Sequence, residues 1–291
     1  DDMAWVIAAN RERLAPHFVM LQPPLASIET LLNKHKLYEL CRELGIPTPE
    51  THYPRDAAEV AAIVSGLAGK FLVKPKTQIG LEIKNKAAIA DAGPGLVAEC
   101  GAFQKRFHYI DAMTRHDPAL RWPMIQRFDP AASTQTASIA GFRSEDGTRF
   151  HVLSSQKILQ FPIRIGIGLC FAPIDVDPEL AERVRRICEA TGYYGAFEVE
   201  FIRSASGDLL MDFNPRYYGQ MQLEISRGLP IPAMVASDAL KRPFPVLAPV
   251  RQLHIAHRWQ LKLVMTTQAI AGRISWAERR RWLDLTDRRK N

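Results

Sequence analysis

The 291-residue chain carries 38 Lys and Arg against 31 Asp and Glu, a net charge of +7, and 47% of its residues are apolar, the share of an ordinary globular protein with a sizeable core. No run of about 18 uncharged apolar residues occurs, the best stretch (Ile163 to Ile174) being short and carrying Arg164, so a membrane span is not expected. The positive excess gathers in Arg279 to Arg281 and Arg288 to Lys290, reads as a solvated helix face and comes without base-stacking or zinc-finger motifs, so a nucleic-acid partner is not expected either.

At the start, the acidic Asp1 and Asp2 and the charged Arg11, Glu12 and Arg13 are unlike a signal peptide, and cytoplasmic residence is expected. Leu31, Lys34, Leu37, Leu40, Cys41 and Leu44 recur at helical spacing and predict one helix, stopped by Gly45, Pro47 and Pro49. Lys34 lies on or beside its apolar stripe, where a lysine either serves an anion or snorkels to water. Ala57 to Leu67 reads as a second helix, and Phe71 to Pro75 as a buried strand that leaves Lys74 at a strand-to-loop edge. A strand is expected near Leu81 to Ile83. The stretch from Ala87 to Lys105 is ambiguous, and Arg115 to Trp122 reads as loop. From Met124 the pattern turns to strands (124–128, 134–143, 150–160), as in an antiparallel sheet. Pro178 to Thr191 is an amphipathic helix with Leu180, Val184, Ile187 and Cys188 on one face, ended by Gly192. Leu223 to Gly228 and Ile231 to Leu240 are helical in character, and Pro243, Pro245 and Pro249 mark a boundary before a mostly helical tail. Ser275 and Glu278 there fit a capping box. His254 and His257 read as a helical surface pair, and Cys41, Cys100, Cys170 and Cys188 as reduced buried thiols.

The most informative stretch is a hairpin, Gly195 to Ile202 followed by Leu209 to Arg216. Alternation puts Phe197, Val199 and Phe201 on one face and Glu198 and Glu200 on the other. On the return strand Met211 and Phe213 are expected to point one way, and Leu210, Asp212 and Asn214 the other. A turn centred near Ser206 and Gly207 would set Glu200 opposite Asp212 and Glu198 opposite Asn214. Three carboxylates on one strand face repel, and a hard divalent cation relieves that repulsion. Oxygen ligands few in number suit Mg²⁺, which completes its shell with water and phosphates.

The helix ending Leu44-Gly45-Ile46-Pro47, the Val73-Lys74-Pro75 strand, the strand Met124 to Phe128, and the hairpin with Asp212-Phe213-Asn214-Pro215-Arg216, in this order, resemble the ATP-grasp superfamily from about Leu31 to Pro232. Asn214 to Gly219 with Gly228-Leu229-Pro230 looks most like its carboxylate–amine ligases and its carbamoyl-phosphate-synthetase-like members. The resemblance implies an α+β fold in which two subdomains clasp ATP, the larger built on an antiparallel sheet. It also implies an ATP- and Mg²⁺-dependent ligase, Mn²⁺ being an alternative cation, that activates a small-molecule carboxylate as an acylphosphate for attack by an amine.

By the same resemblance Glu200, Asp212 and Asn214 hold the metal, Arg216 is catalytic, and Lys34 and Lys74 reach ATP phosphates. Gln126, Arg127 and Phe128 form the strand whose backbone meets the adenine edge, although the family's usual ribose-binding glutamate is replaced by Gln126-Arg127. Glu198 is carried as a supporting or substrate-side residue, and Lys157 and Arg164 as substrate candidates. Family members place an α/β domain ahead of the first helix, whereas about 30 residues precede it here, which suggests a trimmed or a naturally short member. The expected division is 1–30 as a short N-terminal segment, 31–123 as the small subdomain, 124–245 as the large one, and 246–291 as a basic helical tail. Bicarbonate or carbamate phosphorylation, and nucleotide binding without turnover, are the rival readings, and a homodimer is left open.

Overall fold

The computed structural model describes residues 1–82, 87–161, 166–253, 255–256 and 258–285. Helices α1 (Asp2–Ala9) and α2 (Arg11–Leu14) precede α3 (Leu25–Leu32) and α4 (Lys34–Glu43). The apolar spacing across 31–44 predicts a single helix, but there are two. Asn33 is extended (φ −101°, ψ 108°), and its side chain accepts the N–H groups of His35 and Lys36, so it caps α4. Lys34 thereby becomes the first residue of α4, and its own N–H donates to the Lys76 carbonyl at 2.7 Å. The start of α4 is tied in this way to the loop that follows Lys74.

The first sheet has four antiparallel strands: β1 (Thr51–His52), β2 (Lys70–Lys74), β3 (Ala88–Asp91) and β4 (Met124–Arg127), in the order β1-β4-β2-β3. Between them run α5 (Ala57–Ser65), α6 (Pro94–Gly101), α7 (Phe103–Arg106) and α8 (Asp111–His116). Val60 and Val64 of α5, Leu96 of α6 and Phe103 pack against Phe71, Val73 and Ile125 of the sheet. Two expectations are corrected here. Strand 124–127, read as the opening of the large sheet, pairs with β1 and β2 and so belongs to the small one. The stretch 115–122, read as loop, holds the end of α8 and a 3₁₀ turn, Pro118–Arg121, begun by the Asp117 carboxylate accepting the Ala119 N–H.

The second sheet is built from β5 (Thr136–Arg143), β6 (Phe150–Phe161), β7 (Ile167–Ile174), β8 (Gly195–Ser204), β9 (Gly207–Asn214) and β10 (Ile255–Ala256), in the order β10-β7-β6-β5-β8-β9. All its pairings are antiparallel. The remaining helices are α9 (Pro178–Thr191), α10 (Met221–Arg227), α11 (Ile231–Ala239), α12 (Arg258–Ile270) and α13 (Trp276–Leu285). Ile139, Phe197, Val199, Phe201, Leu210 and Phe213 share one face and meet Leu31 of α3 and Leu180, Val184 and Ile187 of α9. The opposite face is divided. Ala140, Phe142, Leu153 and Ala196 lie under Leu229, Ile231 and Met234, from the start of α11 and the turn before it. The rest of that face carries Ser138, Lys157, Glu198 and Glu200 and stays polar, although each of the first three is nearly fully buried.

The hairpin pairs as expected for a different reason. Its turn is Ala205-Ser206, with Ser204 opposite Gly207, one residue earlier than a turn at Ser206-Gly207 requires. A β-bulge then shifts the register, so Glu200 still faces Asp212 and Glu198 faces Asn214 while Phe201 faces Leu210. Met211 is the extra residue. The alternation predicted for the return strand therefore fails on one side of the bulge, where Leu210 is in the core and Met211 turns to the polar face with Asp212.

Candidate functional site

A cavity of about 490 Å³ opens between the two sheets, with walls from the start of α4, β2 and the loop after it, the residues just after β4, and strands β6 to β9. Leu72, Phe128, Ala132, Phe171 and Met211 supply apolar lining. Lys34, Lys74, Lys157, Glu198, Glu200, Asp212, Asn214 and Arg216 supply charge and hydrogen-bonding groups. Distant in sequence, these residues are brought by the fold to one place.

The charges of the cavity are largely paired with one another. Lys34, held at the capped N-terminus of α4, forms an ion pair with the Asp212 carboxylate. Lys157 Nζ donates to Glu200 Oε1 at 3.1 Å. Burial by itself would push the Lys157 ammonium pKa down, but the charges of Glu200, Glu198 and Asp212 outweigh it, and the net shift is upward. Lys157 therefore stays a cation inside the protein. Arg216 donates from Nε to Asp1 Oδ1 at 2.6 Å and from Nη2 to Asn214 Oδ1 at 2.9 Å.

Glu198 is 2% exposed. Its Oε1 accepts from Ser138 Oγ at 2.7 Å and from the Gln220 amide, and its Oε2 accepts from Asn214 Nδ2 at 2.8 Å. Burial first, and then the like charge of Glu200, raise its pKa above the ordinary carboxylate value.

Of the residues singled out from sequence, Lys34, Lys74, Phe128, Lys157, Glu198, Glu200, Asp212, Asn214 and Arg216 all line this one cavity. Gln126 and Arg127 do not. The Gln126 amide is buried, donating to Tyr38 Oη at 3.0 Å and Thr51 Oγ1 at 3.1 Å. Arg127 pairs with Glu50 at 2.5 Å and lies over the Phe71 ring. Gln126 shares the face of its cavity-lining partner Leu72 but is covered by Tyr38 and Thr51, Arg127 lies on the opposite face with Phe71, and Phe128, just past the end of β4, reaches the opening. Arg164, His254 and His257 lie outside the described residues. Sequence reading missed Ser138, Gln160, Met211 and Gln220, and leaves Tyr218 open between pocket and core. Ser138 occupies the position of β5 that pairs with Glu200, and the alternation of that strand was a visible signal. Gln220 comes from a loop with no periodicity to read.

The donor set suits a hard cation. Glu200, Asp212 and Asn214 offer oxygen only, and two carboxylates with an amide leave room for water and phosphate in an octahedral shell. No group of three His, Cys, Asp or Glu able to hold a metal occurs among the described residues, so such an ion needs the Asn214 amide and further oxygens from outside the protein. No helix of the described residues is long and apolar enough to cross a membrane.

No family model and no curated protein matches the sequence. Solved structures match the fold. The biotin carboxylase domain dimer of the Hydrogenobacter thermophilus 2-oxoglutarate carboxylase, in complex with MgADP, ADP and bicarbonate, superposes with a TM-score of 0.66 at 15% identity over 87% of this chain and 55% of that one. A Campylobacter jejuni biotin carboxylase in complex with a β,γ-ATP compound gives 0.65 at 13% identity, over 85% and 56% of the two chains. The N5-carboxyaminoimidazole ribonucleotide synthetase of Thermus thermophilus gives 0.59 at 16% identity, over 88% and 64%. The chain thus spans less than two thirds of the length of each of these structures.

Proposed function

We infer that this chain, which has the ATP-grasp fold, binds ATP with Mg²⁺ in the cavity between its sheets and activates a carboxylate as an acylphosphate for attack by an amine. The observation that carries this reading is the convergence of Glu200, Asp212 and Asn214 with Lys34, Lys74 and Arg216 around one cavity of about 490 Å³. The nucleotide base suits the apolar surface of Leu72, Phe128, Phe171 and Met211. Lys34 and Lys74 bind phosphate oxygens as point charges. Glu200, Asp212 and Asn214 would hold the cation, which when bound offsets charge on the phosphates. A substrate carboxylate oxygen attacks the γ-phosphorus, ADP leaves with the bonding electrons, and Arg216 neutralises charge on the transferring group. An amine nitrogen then attacks the acyl carbon, inorganic phosphate departs, and the nitrogen loses a proton. Such a ligase works on small molecules, and a homodimer is compatible with the reading.

Bicarbonate is the competing oxygen acceptor, favoured by its presence with MgADP in one of the matching structures. ADP release measured against a panel of carboxylates with amines, and against bicarbonate, separates the two. ATP binding with no ADP release under any acceptor would leave a nucleotide-binding protein without turnover. The metal assignment is checked by Asp212→Asn, which should lower Mg²⁺-dependent ATP affinity and ADP release; parent-like values would overturn it.

A further inference from the structure

The carboxylate of Glu198 is the most deeply buried charged group lining the cavity, and the ligase chemistry gives it no task. Its surroundings do. The groups hydrogen-bonded to it are all donors: the Ser138 hydroxyl, the Asn214 amide through Nδ2, and the Gln220 amide through Nε2. An ionised carboxylate only accepts, and a guanidinium only donates. Asn214 stands between one of each, with Nδ2 on Glu198 Oε2 at 2.8 Å and Oδ1 on Arg216 Nη2 at 2.9 Å. The chemistry of the neighbours therefore admits a single orientation of the Asn214 amide. Its nitrogen is anchored in the protein and its oxygen is turned toward the Arg216 side of the cavity. Gln220 is anchored through its nitrogen on the same carboxylate.

We propose that Glu198 is a positioning residue that fixes the amide of Asn214, with Gln220 beside it, so that carbonyl oxygen rather than N–H₂ is presented to the cation. The proposal rests on the functional reading above, in which Asn214 is a metal ligand. It also accounts for a second carboxylate two residues before Glu200 on the same strand face, buried at a cost in like-charge repulsion that a passive residue would not justify. Residues that orient a metal ligand commonly change metal affinity tenfold or more when altered. In Glu198→Gln the new amide can turn its own N–H₂ toward Asn214, and the Asn214 amide then rotates to meet it with oxygen, sending N–H₂ toward the cation.

The test is Mn²⁺ binding, followed by electron paramagnetic resonance of the free ion, in the presence of a non-hydrolysable ATP analogue. Relative to the parent, Glu198→Gln should bind Mn²⁺ about tenfold or more weakly with a melting temperature no lower. The double variant Glu198→Gln, Asn214→Asp should recover most of the loss, because the amide introduced at position 198 now donates to a carboxylate that still offers oxygen to the ion. Asn214→Asp alone adds negative charge beside the ion and would tighten binding on charge alone; set against Glu198 it should not. This last variant keeps the proposal falsifiable even where Glu198→Gln does not fold. Parent-like affinity in Glu198→Gln, a double variant no better than the single one, or tighter binding in Asn214→Asp each overturns the positioning role. Absence of Mn²⁺ binding by the parent protein overturns the functional reading itself.

Discussion

Glu224 on α10 is fully buried, and Tyr218 Oη donates to it at 3.1 Å. Burial first, with some help from the charge of Glu198, pushes its pKa up to about 8 from the 4.5 of an exposed glutamate. Folded protein therefore holds this proton across a range in which unfolded chain has released it. Stability should be greatest at the acid end of that range and fall as pH rises from about 4.5 to about 8. Glu224→Gln should flatten the slope and raise stability at pH 8.5, by a few kcal/mol at most, with little change at pH 5. Urea melts of both proteins at the two pH values decide it, and an unchanged slope would assign the pH dependence to other groups. At this scale the sequence was readable where strand position and pairing bring side chains to one place, as with Glu200, Asp212, Asn214 and Arg216, which all line the cavity. It was unreadable where a residue's direction depends on distant pairing. Gln126 and Arg127 carry suitable chemistry, and it is partners distant in sequence that take them up, Tyr38 and Thr51 for the first and Glu50 for the second.

Among the elements, β5 and β6 approach so closely at Gly141 that a Cβ there would lie 1.9 Å from the His151 carbonyl oxygen. Backbone cannot yield as a flexible side chain can, so Gly141→Ala should destabilise the protein by roughly 2–3 kcal/mol, seen as a lower melting temperature, while a parent-like value would show that the strands can separate. The bulge in the hairpin yields a second expectation. Removing Met211 would leave Leu210, Asp212, Phe213 and Asn214 in ordinary alternation, with Glu200 still opposite Asp212. The deletion variant should retain its cation requirement and lose nucleotide affinity, because Met211 is cavity lining. Titration with an ATP analogue at fixed Mg²⁺ tests this, and loss of the cation dependence would mean that the bulge sets the metal face. Period-2 patterning revealed the hairpin but not its bulge, since an extra residue in one strand has no local sequence mark. The break between α3 and α4 did have one, Asn33, but the apolar spacing runs through it and overrode the cap signal.

For the molecule as a whole, the two sheets were foreseeable as a small and a large unit, whereas the membership of β4 was not, because strand order is settled by pairings about 50 to 75 residues apart in sequence. A ligand bridging both sheets stabilises the folded protein by mass action, about 2.7 kcal/mol at a hundred times its dissociation constant. An ATP analogue with Mg²⁺ should accordingly raise the melting temperature of the entire chain in one transition. Within the cavity, the ion pairs of Lys34 with Asp212 and Lys157 with Glu200 make the protein its own counter-ion on both sides of the exchange. A phosphate that draws Lys34 away gives up the Asp212 carboxylate to a cation, and a cation that takes Asp212 gives up Lys34 to a phosphate. On the proposed function, nucleotide and metal are therefore thermodynamically linked, and each should raise the other's affinity by one common factor. Mn²⁺ affinities with and without the analogue, set against analogue affinities with and without Mn²⁺, measure that factor twice. In Lys34→Met it should shrink, because the Lys34–Asp212 ion pair is then no longer there to be exchanged.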